Sequence, residues 1–60
     1  MQFVQVADTD YVHIVRNVVD NDHWATYVIA ACSVDGRVDE GDIVTDPMAE
    51  DICPDCIEAN

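Results

Sequence analysis

Cys53-Pro54-Asp55-Cys56, with Cys32 upstream, most constrains what this 60-residue chain can fold into. A chain this short buries only about 60% of the surface that its unfolded form exposes, so an apolar core alone leaves it marginal. A Cys-x-x-Cys pair lets one turn present two sulfurs to one ion, and structural Zn²⁺ contributes roughly 10–16 kcal/mol of folding free energy. The pair needs two further donors, and the chain offers Cys32, His13 and His23. The expectation is one small zinc-binding domain over residues 1–60, metal-stapled and β-rich.

Charge narrows the partners. Ten Asp and three Glu face only Arg16 and Arg37, with no Lys, for a formal charge of −11. Direct binding to nucleic acid or to an anionic membrane is disfavoured, because those partners reward Lys and Arg. Half of the residues are apolar, with dense Val and Ile, so the chain is not an acidic disordered tail. The start, Met1-Gln2-Phe3-Val4-Gln5-Val6, has neither the basic lead nor the apolar run of a signal peptide. No stretch approaches the roughly 18 apolar residues of a membrane helix. The expected setting is the cytoplasm, where thiols stay reduced and favour metal over disulfides. An odd cysteine count points the same way.

Residues 11–19 are β-branched and aromatic without Gly or Pro, and predict a strand. Asp20-Asn21-Asp22-His23 supplies turn chemistry, and residues 24–32 predict the returning strand of a hairpin. A turn centred between Asp22 and His23 sets His13 opposite Cys32, Val15 opposite Ala30 and Asn17 opposite Val28. Directly opposed side chains share a face, with Cβ atoms about 5 Å apart, so two donors fall side by side. Residues 33–42 read as a loop punctuated by Gly36 and Gly41, with a tight turn of its own around Val34–Val38. Ile43-Val44-Thr45 predicts a short third strand, and Phe3–Val6 an edge strand. Cys53 caps a short C-terminal helix, Pro54 suits its first position, and Asp55 meets the positive end of its dipole.

Each candidate has a plainer alternative. The paired cysteines can be a redox dithiol, although that chemistry wants a supporting βαβ sheet. Cys32 can be a small buried hydrophobe, and His13 a hydrogen-bonded core histidine. His23 belongs to the turn, at the far end of the hairpin from Cys32, and Asp46, Asp51 or a water are weaker fourth donors. Tyr11, Trp24 and Tyr27 read as core or face-covering aromatics, since no basic residues accompany them as a nucleic-acid platform would need. Asp39-Glu40 and Glu50-Asp51 read as solvated loop carboxylates. No nucleophilic triad, phosphate-cradling glycine loop or calcium-loop spacing is present. A catalytic zinc keeps an open position in a pocket that so short a chain rarely supplies, so no enzyme is expected.

The order Val12-His13, Cys32 at a strand end, Val44-Thr45-Asp46-Pro47 and Cys53-Pro54-Asp55-Cys56 resembles small zinc-ribbon-like proteins. These are common in actinobacteria and their phages and mostly uncharacterised. The resemblance covers about residues 12–57 and implies His13, Cys32, Cys53 and Cys56 as zinc ligands. Members often carry Gly directly after the middle cysteine, where this chain has Ser33. The lack of Lys and wealth of Asp also suit a salt-adapted, haloarchaeal proteome.

Three functions follow as expectations. The favoured one is a non-enzymatic, zinc-stapled module that docks on a partner protein, one with a basic surface, in the host cytoplasm if phage-encoded. The second is an acidic nucleic-acid mimic that occupies a basic DNA- or RNA-binding protein. The third is a redox or metallochaperone protein working through Cys53 and Cys56.

Overall fold

The computed structural model describes residues 1–21 and 26–59. Asp22, His23 and Trp24 lie outside the described residues, and with them the second half of the expected turn and the start of the returning strand. The first half of that turn, Asp20 and Asn21, is not turn but continues the strand Val12–Asn21. Strands β1 (Phe3–Gln5), β2 (Val12–Asn21), β3 (Thr26–Ala30), β4 (Asp35–Val38) and β5 (Ile43–Val44) precede α1 (Pro54–Ala59), the one α-helix among the described residues. They form one antiparallel sheet in the order β4-β3-β2-β1-β5. No helix among the described residues is long and apolar enough to cross a membrane.

The long strand β2 organises the sheet by serving two neighbours. Its first residues, Val12–Ile14, pair with β1, and the remainder, from Val15, pairs with β3. Val15 lies opposite Ala30 as the sequence predicts, but the register then slips twice. Asn17 faces Ile29 instead of Val28, and Asp20 faces Tyr27. Each slip inserts one extra residue into β2, and such bulges bend a strand and sharpen its twist. The curl brings β4 against the loop that follows β1: a Cβ added at Gly36 would lie 3.1 Å from Val6 Cγ1.

Three sequence expectations need correction. The tract 35–38 is strand β4 and not a tight turn. Gly36 gave the turn signal, yet no glycine takes a positive φ, and what position 36 needs is room for the Val6 side chain. Phe3–Gln5 is not an edge strand, because β1 sits between β2 and β5. The returning strand stops at Ala30, two residues short of Cys32. There the chain turns through a three-residue loop, Ala31-Cys32-Ser33, closed by Ser33 N–H to Ala30 O at 2.9 Å and Ala30 N–H to Val34 O at 2.8 Å. Loops of this length favour a closing residue in the left-handed region, and Ser33 has φ 75°.

Two apolar clusters stabilise the sheet. Val4, Val6, Val28 and Val38 form one, while Ile14, Ala30, Ala31, Cys53 and Cys56 form the other. Fully burying a valine is worth roughly 1.5–3 kcal/mol, so a cluster of four is a modest core. The second cluster carries two thiols at its heart. Helix α1 has six residues, too few to stand alone. It is moored by a parallel bridge between Val12 and Ile52 and by Cys53 N–H donating to Val12 O at 2.8 Å. Pro54 opens the helix as predicted, and the Cys53 carbonyl accepts from Ile57 N–H at 3.1 Å.

Candidate metal centre

Three separate segments converge on one point. His13 projects from β2 and is 2% exposed. It pairs across the sheet with Val4 of β1, so the predicted cross-strand pair with Cys32 does not form as such. The register that carries Val15 onto Ala30 and Ala31 N–H onto Ile14 O nonetheless delivers the Ala31–Ser33 loop beside His13. Cys32, at the middle of that loop, puts Sγ 3.5 Å from His13 Nδ1. Cys56, one turn into α1 and fully buried, puts its Sγ at the same distance. Cys53 sits at the helix start, also buried.

The donor atoms of His13, Cys32, Cys53 and Cys56 all lie within 4.8 Å of one another. All three cysteines are free thiols. An ion with metal–nitrogen bonds near 2.0 Å and metal–sulfur bonds near 2.3 Å sets tetrahedral N and S ligands about 3.5 Å apart. The spacing from Nδ1 to two of the sulfurs meets that requirement. The group is therefore close enough to hold one metal ion, with four side-chain donors and no carboxylate among them. Asp46 and Asp51, the weaker fourth-donor candidates, are exposed and outside the group, and His23 lies outside the described residues.

Backbone and burial tune the donors. Burial holds the His13 imidazole below its ordinary pKa, favouring the neutral ring that a metal needs. Burial alone would raise the Cys56 thiol, but the backbone N–H groups of Ile14 and Cys32, with the Cys32 and Cys53 thiols, bring it below its usual value. Cys32 moves up, mainly through burial and the neighbouring Cys56, against one backbone hydrogen bond from Val34. Of Cys32 and Cys56, Cys56 is thus the better prepared to lose its proton.

Two features escaped the sequence reading. Thr9 Oγ1 lies 3.1 Å from His13 Nε2, on the side of the ring away from the sulfurs. A threonine four residues ahead of a histidine across a turn leaves no periodic mark. Asp39 is a solvated carboxylate, as expected, but it also caps a 3₁₀ turn (Glu40–Asp42), accepting from Gly41 N–H at 2.9 Å. The aromatic expectations stand mixed. Tyr11 is exposed, while Tyr27 is half-buried, donates to Asp35 Oδ2 at 2.6 Å and carries Arg37 over its ring at 5.8 Å.

No family model, curated protein or solved structure matches this chain.

Proposed function

We propose that the chain is a zinc-stapled binding module, in which His13, Cys32, Cys53 and Cys56 hold one Zn²⁺ and the folded domain docks on a partner protein without doing chemistry. The convergence of one nitrogen and three sulfurs carries this reading. Thiolate-rich tetrahedral sets suit Zn²⁺, and four protein donors leave no open position for a substrate or an activated water. This is also the ligand set that the resemblance to zinc-ribbon-like proteins implies. The burial of Cys53 and Cys56 counts against a redox dithiol, whose attacking sulfur needs access to its target.

Docking is favoured over nucleic-acid mimicry by the apolar side chains left at the surface. Val18, Val19, Ile43, Met48 and Ile57 are each more than two-fifths exposed. The charge of −11 selects a partner with a basic surface and speeds encounter at low salt. For a phage-encoded chain that partner is a host protein.

Metal analysis of purified protein tests the first half, with one zinc per chain expected. Purified protein that carries no metal and keeps a folded spectrum in chelator would sink it. The second half is tested on the partner captured from the native host. Salt should slow association while dissociation stays nearly constant, and nucleic acid should not compete. Clean displacement by DNA would instead favour the mimic.

A further inference from the structure

The His13 ring is held from both sides, and the side away from the sulfurs determines which nitrogen is free. Thr9 Oγ1 has one proton, and the carbonyl of Val6 lies only 2.6 Å from it. A second acceptor, the Tyr11 carbonyl, is much farther at 3.4 Å. With its proton committed to Val6, the hydroxyl faces His13 Nε2 at 3.1 Å as an acceptor. Nε2 must then carry the imidazole proton, which leaves Nδ1 as a bare lone pair. Nδ1 is the atom that lies 3.5 Å from both Cys32 Sγ and Cys56 Sγ.

The hydroxyl is itself fixed by local bonds. Thr9 N–H donates to Val6 O at 3.2 Å, closing a tight turn in which Asp8 takes φ 67°. The Gln5 side-chain amide donates to Thr9 O at 2.9 Å. The turn after β1 is therefore shaped to present one acceptor to one ring nitrogen.

We propose that Thr9 is a positioning residue for the metal: it locks His13 in the Nε2–H tautomer, so that the ion is bound through Nδ1. This rests on the zinc reading above and names the residue that makes His13 a competent ligand. Outer-shell partners of this kind fix ring orientation and raise ligand basicity, and losing one typically costs about 10–100-fold in metal affinity. Thr9→Val keeps the branched shape and the backbone bonds of the turn while removing the acceptor; Thr9→Ser keeps the hydroxyl.

The test uses zinc-loaded protein. Long-range ¹H–¹⁵N spectra should show His13 protonated at Nε2 and metal-bound at Nδ1. Competition with a chromophoric zinc chelator should show affinity reduced about 10–100-fold in Thr9→Val and retained in Thr9→Ser. Zinc bound through Nε2, or a Thr9→Val protein of unchanged affinity, overturns the assignment while leaving the zinc site itself standing. A wild-type chain that binds no zinc overturns both. Should Thr9→Val fail to fold, the wild-type spectrum still decides: Nε2 protonated with zinc on Nδ1 supports the assignment, and zinc on Nε2 overturns it.

Discussion

Cys53 donates its backbone N–H to the carbonyl of Val12 at 2.8 Å, one residue ahead of His13. That single bond sets the start of α1 against the strand that carries the histidine. The ligands of the candidate centre are thus placed by backbone hydrogen bonds before any ion is considered. Loss of a ligand side chain should accordingly remove affinity and, with it, the share of stability that the bound ion contributes.

His13→Ala should weaken zinc binding by more than the roughly 10–100-fold that loss of an outer-shell partner costs. It should also lower thermal stability in zinc-containing buffer. His23→Ala is expected to change neither property. Chelator competition on both variants checks this, and a costly His23 substitution would return the choice of nitrogen donor to the turn.

Acid should release the metal. His13 has its folded pKa below the ordinary value of about 6.5, so below that pH the unfolded chain binds more protons than the folded one. The stability that the neutral ring contributes is present above about pH 6.5 and is lost as pH falls from there through the folded value. Protonation of ligands competes with zinc in the same direction. Fluorescent detection of free zinc during an acid titration should show release beginning below about pH 6.5, and retention well into the carboxylate range would contradict it.

Ser33 closes the three-residue loop with φ 75°, where an L-residue is strained by about 1–2 kcal/mol. Ser33→Gly removes that strain but loosens the unfolded chain by roughly 0.5–1 kcal/mol, so stability should hold or rise slightly. Ser33→Val should cost about 1–2 kcal/mol or more, because a β-branched side chain fits the left-handed region worst. Denaturant midpoints of the two variants at saturating zinc decide. Equal midpoints would mean that the loop relaxes at little cost.

Gly36→Ala should destabilise by about 1 kcal/mol, because the new Cβ meets Val6 Cγ1 at 3.1 Å and Val6 is packed into the valine cluster. Adding Val6→Ala should make the second substitution at position 36 nearly free. A double-mutant cycle measures this coupling, and simple additivity would show that the close approach does not matter.

The local signals of the sequence were the dependable ones. Pro54 after Cys53 marked the helix start, and the β-branched run marked β2. The cluster that could hold a metal was legible because two cysteines in one turn limit where the other donors can be. What stayed hidden was non-local. Gly36 announces a turn in the sequence but serves a close approach to Val6, a residue 30 positions away in the chain. The bulges in β2 follow from the curl of the whole sheet, and no residue type at 16 or 19 announces them. Thr9 was invisible for the same reason, since its role depends on where Val6 O and His13 meet.

His13 and Cys56 are 43 residues apart, whereas Cys53 and Cys56 share a single turn. On the zinc reading proposed above, melting of the sheet separates the long-range donors while the close pair keeps its grip on the ion. The ion then travels with the denatured chain, and that residual binding trims the stabilisation it gives the native state. In return, refolding begins with the metal already on board. Only His13 and Cys32 then have to find it, and the cost left to meet is the entropy of closing those longer loops.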